Sequence, residues 1–190
     1  MSPSDGINAR WEGLNPPYAT IVADPPWHYE KSSPDMPHRG YIGRGLPYSS
    51  MTLDEISALP VAELAQDSRL YLWTTNRYLR HAWSVVEAWG FEPQDRVLVW
   101  CKAQRGTTPV TTEFVLIGKR GRPPKMPWHG STWFAWPLTG GGSTATRHSV
   151  KPPAFYDLVE RWSPGPYVDI FCRNPRFGWD SWGYGYEGVA

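Results

Sequence analysis

The chain contains only two cysteines, and few side chains that could bind a metal lie near them in the sequence. Its two cysteines, Cys101 and Cys172, both sit in apolar runs that resemble strands. This placement predicts buried free thiols in a reducing compartment and argues against a disulfide framework. No cluster of metal-ligating residues accompanies either cysteine, so we predict no metal site.

A long apolar segment is also missing. No stretch reaches membrane-spanning length, and residues 1–10 contain no apolar signal-peptide core. The sequence therefore predicts a soluble, cytoplasmic protein with no membrane partner.

An excess of one charge is missing as well. The chain has 19 basic and 18 acidic residues, for a formal net charge of +1. This balance excludes the strongly basic proteins that hold duplex DNA by bulk electrostatics. Any affinity for nucleic acid is therefore expected to be local and modest.

The length of 190 residues suits one domain with a real core and leaves no room for an additional large recognition domain. We expect a single domain over 1–190, with an N-terminal extension at 1–15. Stretches rich in Pro, Gly and polar residues predict long loops at 28–50, 102–112 and 119–148.

Aromatic residues are abundant, with 12 Trp and 10 Tyr. Most are expected in the core, and the others can stack on bases. The aromatic, uncharged stretch from Trp128 to Trp136 is compatible with a self-association face, and so with a homodimer. Burial in the core explains this stretch equally well.

Apolar runs and amphipathic stretches alternate along the chain. Buried strands are predicted at 18–23, 69–74, 97–101, 113–118 and 167–172. Helices are predicted after Thr52, where Glu55 completes a capping box, after Asn76 as N-cap, and from Lys151-Pro152-Pro153 onward. Gly90 is placed to end the second helix, and a short helical continuation is predicted at 61–65.

This alternation predicts an α/β fold, with a parallel sheet and helices on both faces. Sheets of this kind bind ligands beyond the carboxyl ends of their strands. Asp24 and the segment from Arg173 onward both follow strands, so we expect them to share a pocket.

The tetrapeptide Asp24-Pro25-Pro26-Trp27 directly follows the first predicted strand. Two prolines cannot continue a strand ladder, and they stiffen the chain where Asp24 leaves the sheet. A carboxylate, rigid carbonyls and an indole form an acceptor site for a planar NH2 group with an aromatic face for its ring. This pattern favours methyl transfer to an exocyclic amine, and the alternative is a Pro-Pro turn with a capping Asp and a core Trp.

Several further segments occur in a specific order. They are Ala23-Asp24-Pro25-Pro26-Trp27, Leu70 to Asn76, Ala88-Trp89-Gly90-Phe91, Glu113 to Gly118, Lys151-Pro152, Ser163-Pro164-Gly165, Phe171-Cys172-Arg173 and Gly178 to Gly183. Together they resemble the MT-A70-like adenine N6-methyltransferase family, which includes the catalytic subunit of the eukaryotic mRNA adenosine methyltransferase. The likeness is greatest to the short members of bacteria and phages.

The resemblance implies a Rossmann-like methyltransferase fold with a permuted motif order, in which the catalytic motif precedes the cofactor motif. It also implies S-adenosylmethionine as methyl donor. Asp24 and the Pro25 carbonyl would accept the adenine N6 hydrogens, and Trp27 would help hold the base, with Pro26 completing the catalytic motif.

The resemblance also implies a set of cofactor contacts. Lys151 would meet the cofactor carboxylate, and the others along the cofactor would be Asp24, Phe171, Arg173, Asn174, Gly183 and Tyr184. Tyr184 and Gly185 depart from the polar pair that commonly holds the cofactor ribose in the family. Glu113 matches a position that helps to order an active-site loop, or it is a charge at a strand edge.

Basic and aromatic residues on three loops are candidates for substrate binding. They are His28, Tyr29, Arg39, Tyr41 and Arg44, then Lys102 and Arg105, then Lys119, Arg120, Arg122 and Lys125. Ordinary solvated loops explain any one of them, and together they fit phosphate contacts around an extruded or single-stranded adenine.

We therefore expect an S-adenosylmethionine-dependent adenine N6-methyltransferase that acts on nucleic acid, with DNA favoured over RNA. One alternative keeps the methyl transfer and replaces the polymer by a free nucleoside or another small amino-bearing substrate. A second alternative is a non-catalytic nucleic-acid-binding subunit.

Overall fold

The computed structural model describes residues 11–28, 50–102, 111–127, 130–137 and 150–183. The strands are β1 (Tyr18–Ala23), β2 (Ala65–Thr75), β3 (Glu92–Cys101), β4 (Thr112–Arg120), β5 (Trp133–Phe134), β6 (Tyr167–Ile170) and β7 (Trp179–Trp182). The helices are α1 (Leu53–Ser57), α2 (Leu79–Ala88) and α3 (Pro153–Trp162), with a 3-10 helix at Val61–Leu64.

These strands form one seven-stranded sheet in the order β5-β3-β4-β2-β1-β6-β7. β1 pairs in parallel with β2 and with β6, and β6 pairs in parallel with β7. The expected α/β class is therefore confirmed, and β1 and β6 lie side by side with their carboxyl ends at one edge.

The expectation of an all-parallel sheet is wrong, because β4 is antiparallel to both β2 and β3. β3 ends at Cys101 and β4 begins at Thr112, which leaves no room for a crossover helix. Parallel neighbours need a connection of about a dozen residues or more, usually a helix, whereas antiparallel neighbours need only a short turn. The sheet is therefore mixed.

Helices cover both faces of the sheet, as predicted. Alternate residues of β1 point to opposite faces: Ile21 and Ala23 pack in the cluster that contains α1 and α2, and Val22 packs in the cluster that contains α3. The second cluster is rich in large aromatic rings, including the fully buried Trp73 and Trp100. Much of the aromatic content thus forms the core.

The ends of the first two helices test the capping predictions. Thr52 and Glu55 form the predicted capping box, and Gly90, with φ of 77°, follows the end of α2 as predicted. Asn76 is not an N-cap, because α2 begins at Leu79 after Tyr78, whose side chain makes no capping bond. The Asn76 amide instead donates to the carbonyl and hydroxyl oxygens of Thr112 on β4, at 2.9 and 3.0 Å.

Several boundaries differ from the predictions. β2 and β3 begin earlier, and β6 ends at Ile170 because Phe171 has a φ of 67°, which leaves the extended region. The predicted loop at 119–148 contains the end of β4 and the short strand β5. Both cysteines are free thiols; Cys172 is buried and Cys101 is half-buried.

Candidate active site

A cavity of about 470 Å³ opens where β1 and β6 end. Its lining residues are Asp24, Val150, Lys151, Pro153, Tyr156, Asp169, Phe171, Cys172, Arg173, Asn174, Pro175, Arg176 and Phe177. The volume falls in the range of small-molecule sites in proteins, about 300–1,000 Å³. The prediction that Asp24 and the segment after Arg173 share a pocket is confirmed.

The Asp24-Pro25-Pro26-Trp27 motif is held rigidly at the edge of this cavity. The Asp24 N–H donates to the Ile170 carbonyl at 3.3 Å, which ties the end of β1 to the end of β6. Both prolines are buried. The Pro25 carbonyl accepts the Trp27 N–H at 2.8 Å and, with two lone pairs, retains the capacity to accept a second hydrogen bond.

Trp27 is part of the protein interior, with 4% of its surface exposed. Its indole N–H donates to the Trp73 carbonyl at 3.2 Å, and its ring stacks on Tyr78 with 5.1 Å between centroids. This packing fixes the peptide that carries the Pro25 carbonyl. Trp27 therefore supports the motif from behind and presents little surface to a base.

Lys151 connects two carboxylates. Its Nζ lies 3.1 Å from Asp24 Oδ1 and 2.9 Å from Glu113 Oε2, and it lies 4.8 Å from the centre of the Trp73 ring. Burial alone would lower the pKa of Lys151, but Asp24 and Glu113 outweigh it and raise that pKa. Lys151 is therefore a permanent cation that orients Asp24.

Glu113 extends this cluster across the sheet. It also contacts the ammonium of Lys102, on the neighbouring strand end. Burial would raise the pKa of Glu113, yet Lys151 and Lys102 lower it to about 2. Glu113 is thus a partly buried, ionised partner of two lysines and not a solvated charge at a strand edge.

Arg173 lies on the other side of Asp24, with 3.8 Å between Nη2 and Oδ2. Asp24 therefore has a cation near each of its two oxygens. With both charges in place, the carboxylate is held at the cavity edge in one orientation.

Asp169 is a cavity residue that the sequence analysis did not identify. It is 5% exposed and accepts a hydrogen bond from the Tyr156 hydroxyl at 2.8 Å. Burial raises the pKa of Asp169 to about 7, and the nearby charge of Asp24 adds to the rise, while the Tyr156 hydroxyl and Lys151 oppose it. Its signal in the sequence is an acidic residue inside an otherwise apolar strand.

Three further predicted cofactor residues have different surroundings. Phe171 and Asn174 line the cavity. Phe171 is a non-glycine residue at positive φ, a strained conformation that costs about 1–3 kcal/mol and recurs at functional sites. Gly183 packs on the backbone of the neighbouring segment, where an added Cβ would come within 2.6 Å of the Cys172 nitrogen. A larger residue at position 183 would clash with this backbone, which explains why a glycine is found there.

The structure does not bring all of the predicted substrate residues to the cavity. Lys119 pairs with Glu92 at 3.1 Å, and Arg120 donates to the Gly90 carbonyl at 2.9 Å. Both lie at the far end of β4 from Glu113, roughly 20 Å away for six residues of strand. They therefore do not lie around Asp24.

Of the other predicted substrate and cofactor residues, some lie within the described structure and some lie outside it. His28 is exposed, and its Nδ1 lies 2.7 Å from Ser50 Oγ. This contact joins the two ends of the segment 28–50. Lys102 is held by Glu113. Tyr29, Arg39, Tyr41, Arg44, Arg105, Tyr184 and Gly185 lie outside the described residues, as does Trp128.

A mixed α/β sheet with a ligand cavity beyond β1 and β6, and an Asp-Pro-Pro-Trp motif at its edge, defines a Rossmann-like methyltransferase. The MT-A70 family model matches residues 18–185, and the chain belongs to that family. The resemblance noted in the sequence is therefore confirmed.

Individual relatives agree with this assignment. The chain is 30% identical over 183 residues to a type II methyltransferase, M.MunI, of Mycoplasma sp, covering 87% of this chain and 76% of the relative. It is 28% identical to the N(6)-adenosine-methyltransferase MT-A70-like protein of Drosophila melanogaster and 26% identical to the human N(6)-adenosine-methyltransferase catalytic subunit METTL3. These matches cover 90% of this chain in each case, but only 27% and 29% of the relatives.

The described residues offer neither a membrane-spanning helix nor a metal-binding cluster. No helix among them is long and apolar enough to cross a membrane. Within the same residues, no group of three or more His, Cys, Asp or Glu side chains is arranged to hold a metal ion.

Proposed function

We propose that this protein transfers a methyl group from S-adenosylmethionine to the exocyclic N6 amine of adenine in nucleic acid. The observation that carries the proposal is Asp24, oriented by Lys151 and Arg173 at the edge of a cavity and followed by a rigid, buried Pro-Pro unit. Likeness to a bacterial type II methyltransferase supports a prokaryotic-type member, for which we favour DNA over RNA.

The cavity has the charges that the cofactor needs. S-adenosylmethionine combines a carboxylate with an ammonium and a sulfonium centre. Lys151 and Arg173 offer positive charge to the carboxylate, and Asp169 is a buried carboxylate whose hydrogen-bond partner is the neutral Tyr156 hydroxyl. A positive centre of the ligand would offset the burial of Asp169, so these residues fit the cofactor. When bound, the cofactor supplies an electrophilic methyl group.

Asp24 and the Pro25 carbonyl prepare the nucleophile. The lone pair of adenine N6 is delocalised into the ring, which makes the amine a weak nucleophile. Two acceptors that take both N–H groups would favour a more pyramidal and more reactive nitrogen and would orient it for attack. Attack by N6 would form the N–C bond as the S–C bond breaks, with S-adenosylhomocysteine as the leaving group, and the acidic methylated amine would then lose a proton to Asp24 or to water.

The charged neighbours keep Asp24 ready for this task. Lys151 is itself held by Glu113, and Glu113 is held by Lys102, so the position of the Asp24 carboxylate depends on a chain of three contacts. Preorganised charges of this kind need no rearrangement during the reaction. Trp27 fixes the motif by its bond to the Trp73 carbonyl.

A free nucleoside or another small amine is the second candidate substrate. One observation favours it: Lys119 and Arg120, expected to contact phosphates, are engaged with Glu92 and Gly90 at the far end of β4. The intact cluster around Asp24 argues against a purely non-catalytic subunit.

The test is incubation with methyl-labelled S-adenosylmethionine and, separately, single-stranded DNA, duplex DNA, RNA and adenosine, with products identified by mass spectrometry. We expect N6-methyladenine in DNA, and a loss of about 10²–10³-fold in the Asp24→Asn variant, because an NH2 donor replaces a required acceptor. The exposed Asp95→Asn change is the matched control and should leave turnover unchanged. Full activity of Asp24→Asn would contradict the proposed role.

A further inference from the structure

Phe177 is an apolar ring placed entirely in solvent. Its relative exposure is 103%, and the only other large hydrophobic residue exposed within the described part of the chain is Trp133, at 61%. A phenylalanine at such a position adds nothing to the core. Its ring is therefore available to a ligand.

The turn that carries Phe177 is well defined. The Trp179 N–H donates to the Arg176 carbonyl at 3.1 Å, and Gly178 has a φ of 80°. This is the pattern of a type II turn, in which the third residue needs positive φ and is usually glycine. Phe177 occupies the second position, at the corner of the turn, where its side chain packs against none of the residues that the structure describes.

Both residues that flank the corner are anchored to α3. Arg176 donates to Asp157 at 2.6 Å and to Glu160 at 2.9 Å, and the indole N–H of Trp179 donates to Glu160 at 2.8 Å. A ring on an anchored turn keeps its position, so it can serve as a preorganised surface.

The turn forms one end of the cavity. Residues 171–177 line it continuously, and Lys151 and Asp24 lie at the end where α3 begins. Asp157 and Glu160, which hold Arg176, lie one to two helical turns further along α3, about 6–10 Å at 1.5 Å per residue. Phe177 is thus at the end of the cavity remote from Asp24.

We propose that Phe177 stacks on the purine ring of the methyl donor and closes the outer end of the cavity. This inference rests on the proposed function, which requires the sulfur of the donor near Asp24. From there the adenosine part has to extend away from the reacting amine, along the segment 171–177. An aromatic ring at that end offers a face to a purine. Stacking of a base on an aromatic side chain contributes strongly to binding affinity.

The experiment measures binding of S-adenosylhomocysteine by calorimetry, so the readout does not depend on turnover. We expect Phe177→Ala to weaken binding about tenfold, within the range for loss of one stacked base, and Phe177→Trp to retain or improve it. Trp133→Ala is the matched control, since Trp133 lies on β5 at the opposite edge of the sheet, and it should bind like the wild type. All variants should unfold at the wild-type temperature.

The outcomes separate this inference from the proposed function. A wild-type protein that does not bind S-adenosylhomocysteine would overturn the cofactor assignment and this inference with it. Wild-type binding with unchanged affinity in Phe177→Ala would overturn only the stacking role. The inference would also fail if Phe177→Ala kept its affinity for S-adenosylhomocysteine and lost affinity for a single-stranded oligonucleotide, because the ring would then meet the target base. Unfolding of Phe177→Ala would contradict the exposed, non-structural position of the ring.

Discussion

Glu113, which is partly buried, and Asp169, which is buried, are carboxylates on either side of Asp24, and their pKa values move in opposite directions. Burial disfavours the charge of both. For Glu113 two lysines outweigh burial and lower the pKa to about 2, whereas for Asp169 burial prevails and raises the pKa to about 7. The difference lies in their partners: Glu113 contacts the ammonium groups of Lys151 and Lys102, and Asp169 contacts the Tyr156 hydroxyl.

The protein itself neutralises the charge of Glu113, whereas a bound ligand could neutralise the charge of Asp169. The Glu113 side contains its own cations, so it is stable without any bound molecule. Asp169 lies on the cavity wall with a burial cost that the protein does not fully offset. Functional sites often contain such uncompensated groups, at the expense of stability.

Replacing Glu113 removes the carboxylate that pairs with Lys102 and Lys151, and it should have the largest effect on stability. Glu113→Gln removes the charge that two partly buried lysines share, at an expected cost of roughly 3 kcal/mol near neutral pH. Because its pKa is lower in the folded protein, Glu113 contributes stability above its ordinary pKa of 4.5, and that stability is lost as the pH falls toward 2. Urea unfolding of the variant should show a weaker pH dependence over that window.

Glu92→Gln is the control for this change. Glu92 pairs with Lys119 at the other end of the same strand, but its side chain is 66% exposed. Exposed ion pairs contribute less than about 1 kcal/mol, so the control should unfold nearly like the wild type. Equal losses of unfolding free energy in both variants would mean that the Glu113 cluster contributes no more to stability than an exposed ion pair.

Replacing Asp169 should have the opposite sign. As the pH rises from 3.8 to about 7, the carboxyl ionises in the unfolded chain before it ionises in the folded protein, so Asp169 reduces stability progressively. Asp169→Asn should therefore stabilise the ligand-free protein at pH 8, on the order of 2 kcal/mol, and have little effect near pH 4. Thermal unfolding across this pH range measures the change in stability, with the exposed Asp95→Asn variant as the control.

The Asp169→Asn variant also tests whether Asp169 contacts the cofactor. If the Asp169 carboxylate faces a positive centre of S-adenosylmethionine, Asp169→Asn should bind the cofactor more weakly while being more stable without it. A variant that is less stable at pH 8 than the wild type would contradict the burial cost assigned to Asp169.

Replacing Tyr156 should have the smallest effect of the three, because it removes one hydrogen bond and no charge. Tyr156→Phe removes the hydroxyl that donates to Asp169, at an expected cost of about 1 kcal/mol that is larger at pH 8 than at pH 6, because a bond to an ionised carboxylate is stronger. Tyr167→Phe is the control, since its hydroxyl donates to the uncharged Ser163 carbonyl. Its cost should be the same at both pH values, and a similar pH-independence in Tyr156→Phe would refute the interaction with an ionised Asp169.

Much of the fold was predictable from local pattern. The strand before Asp24, the capping box at Thr52 and the helix end at Gly90 follow from rules that depend on a few neighbouring residues, and the structure confirms each. The direction of β4 was not predictable from the alternation of strands and helices. Antiparallel pairing of β4 depends on the short connection after Cys101 and on which neighbour it meets.

Asn76 and Asp169 show the same limit at single residues. A local rule makes Asn76 an N-cap, but pairing of Thr75 with Glu113 brings its amide to Thr112, which competes for the hydrogen bond. Asp169 lies in a strand that reads as apolar, and the alternation along β6 turns it away from Val168 and Ile170 and toward Tyr156. Neither contact is local in sequence.

Residue type, periodicity and order along the chain are enough to predict the α/β class, the family, and the Asp-Pro-Pro-Trp motif at the end of a buried strand. Which charges meet depends on how the chain folds in three dimensions. Lys151, Glu113 and Asp24 come from separate elements, and burial at one sheet edge makes their contacts strong. The same packing leaves the burial of Asp169 only partly offset by Lys151 and the Tyr156 hydroxyl, and it places Lys119 far from the cavity, since partners and solvent access are set by the fold as a whole.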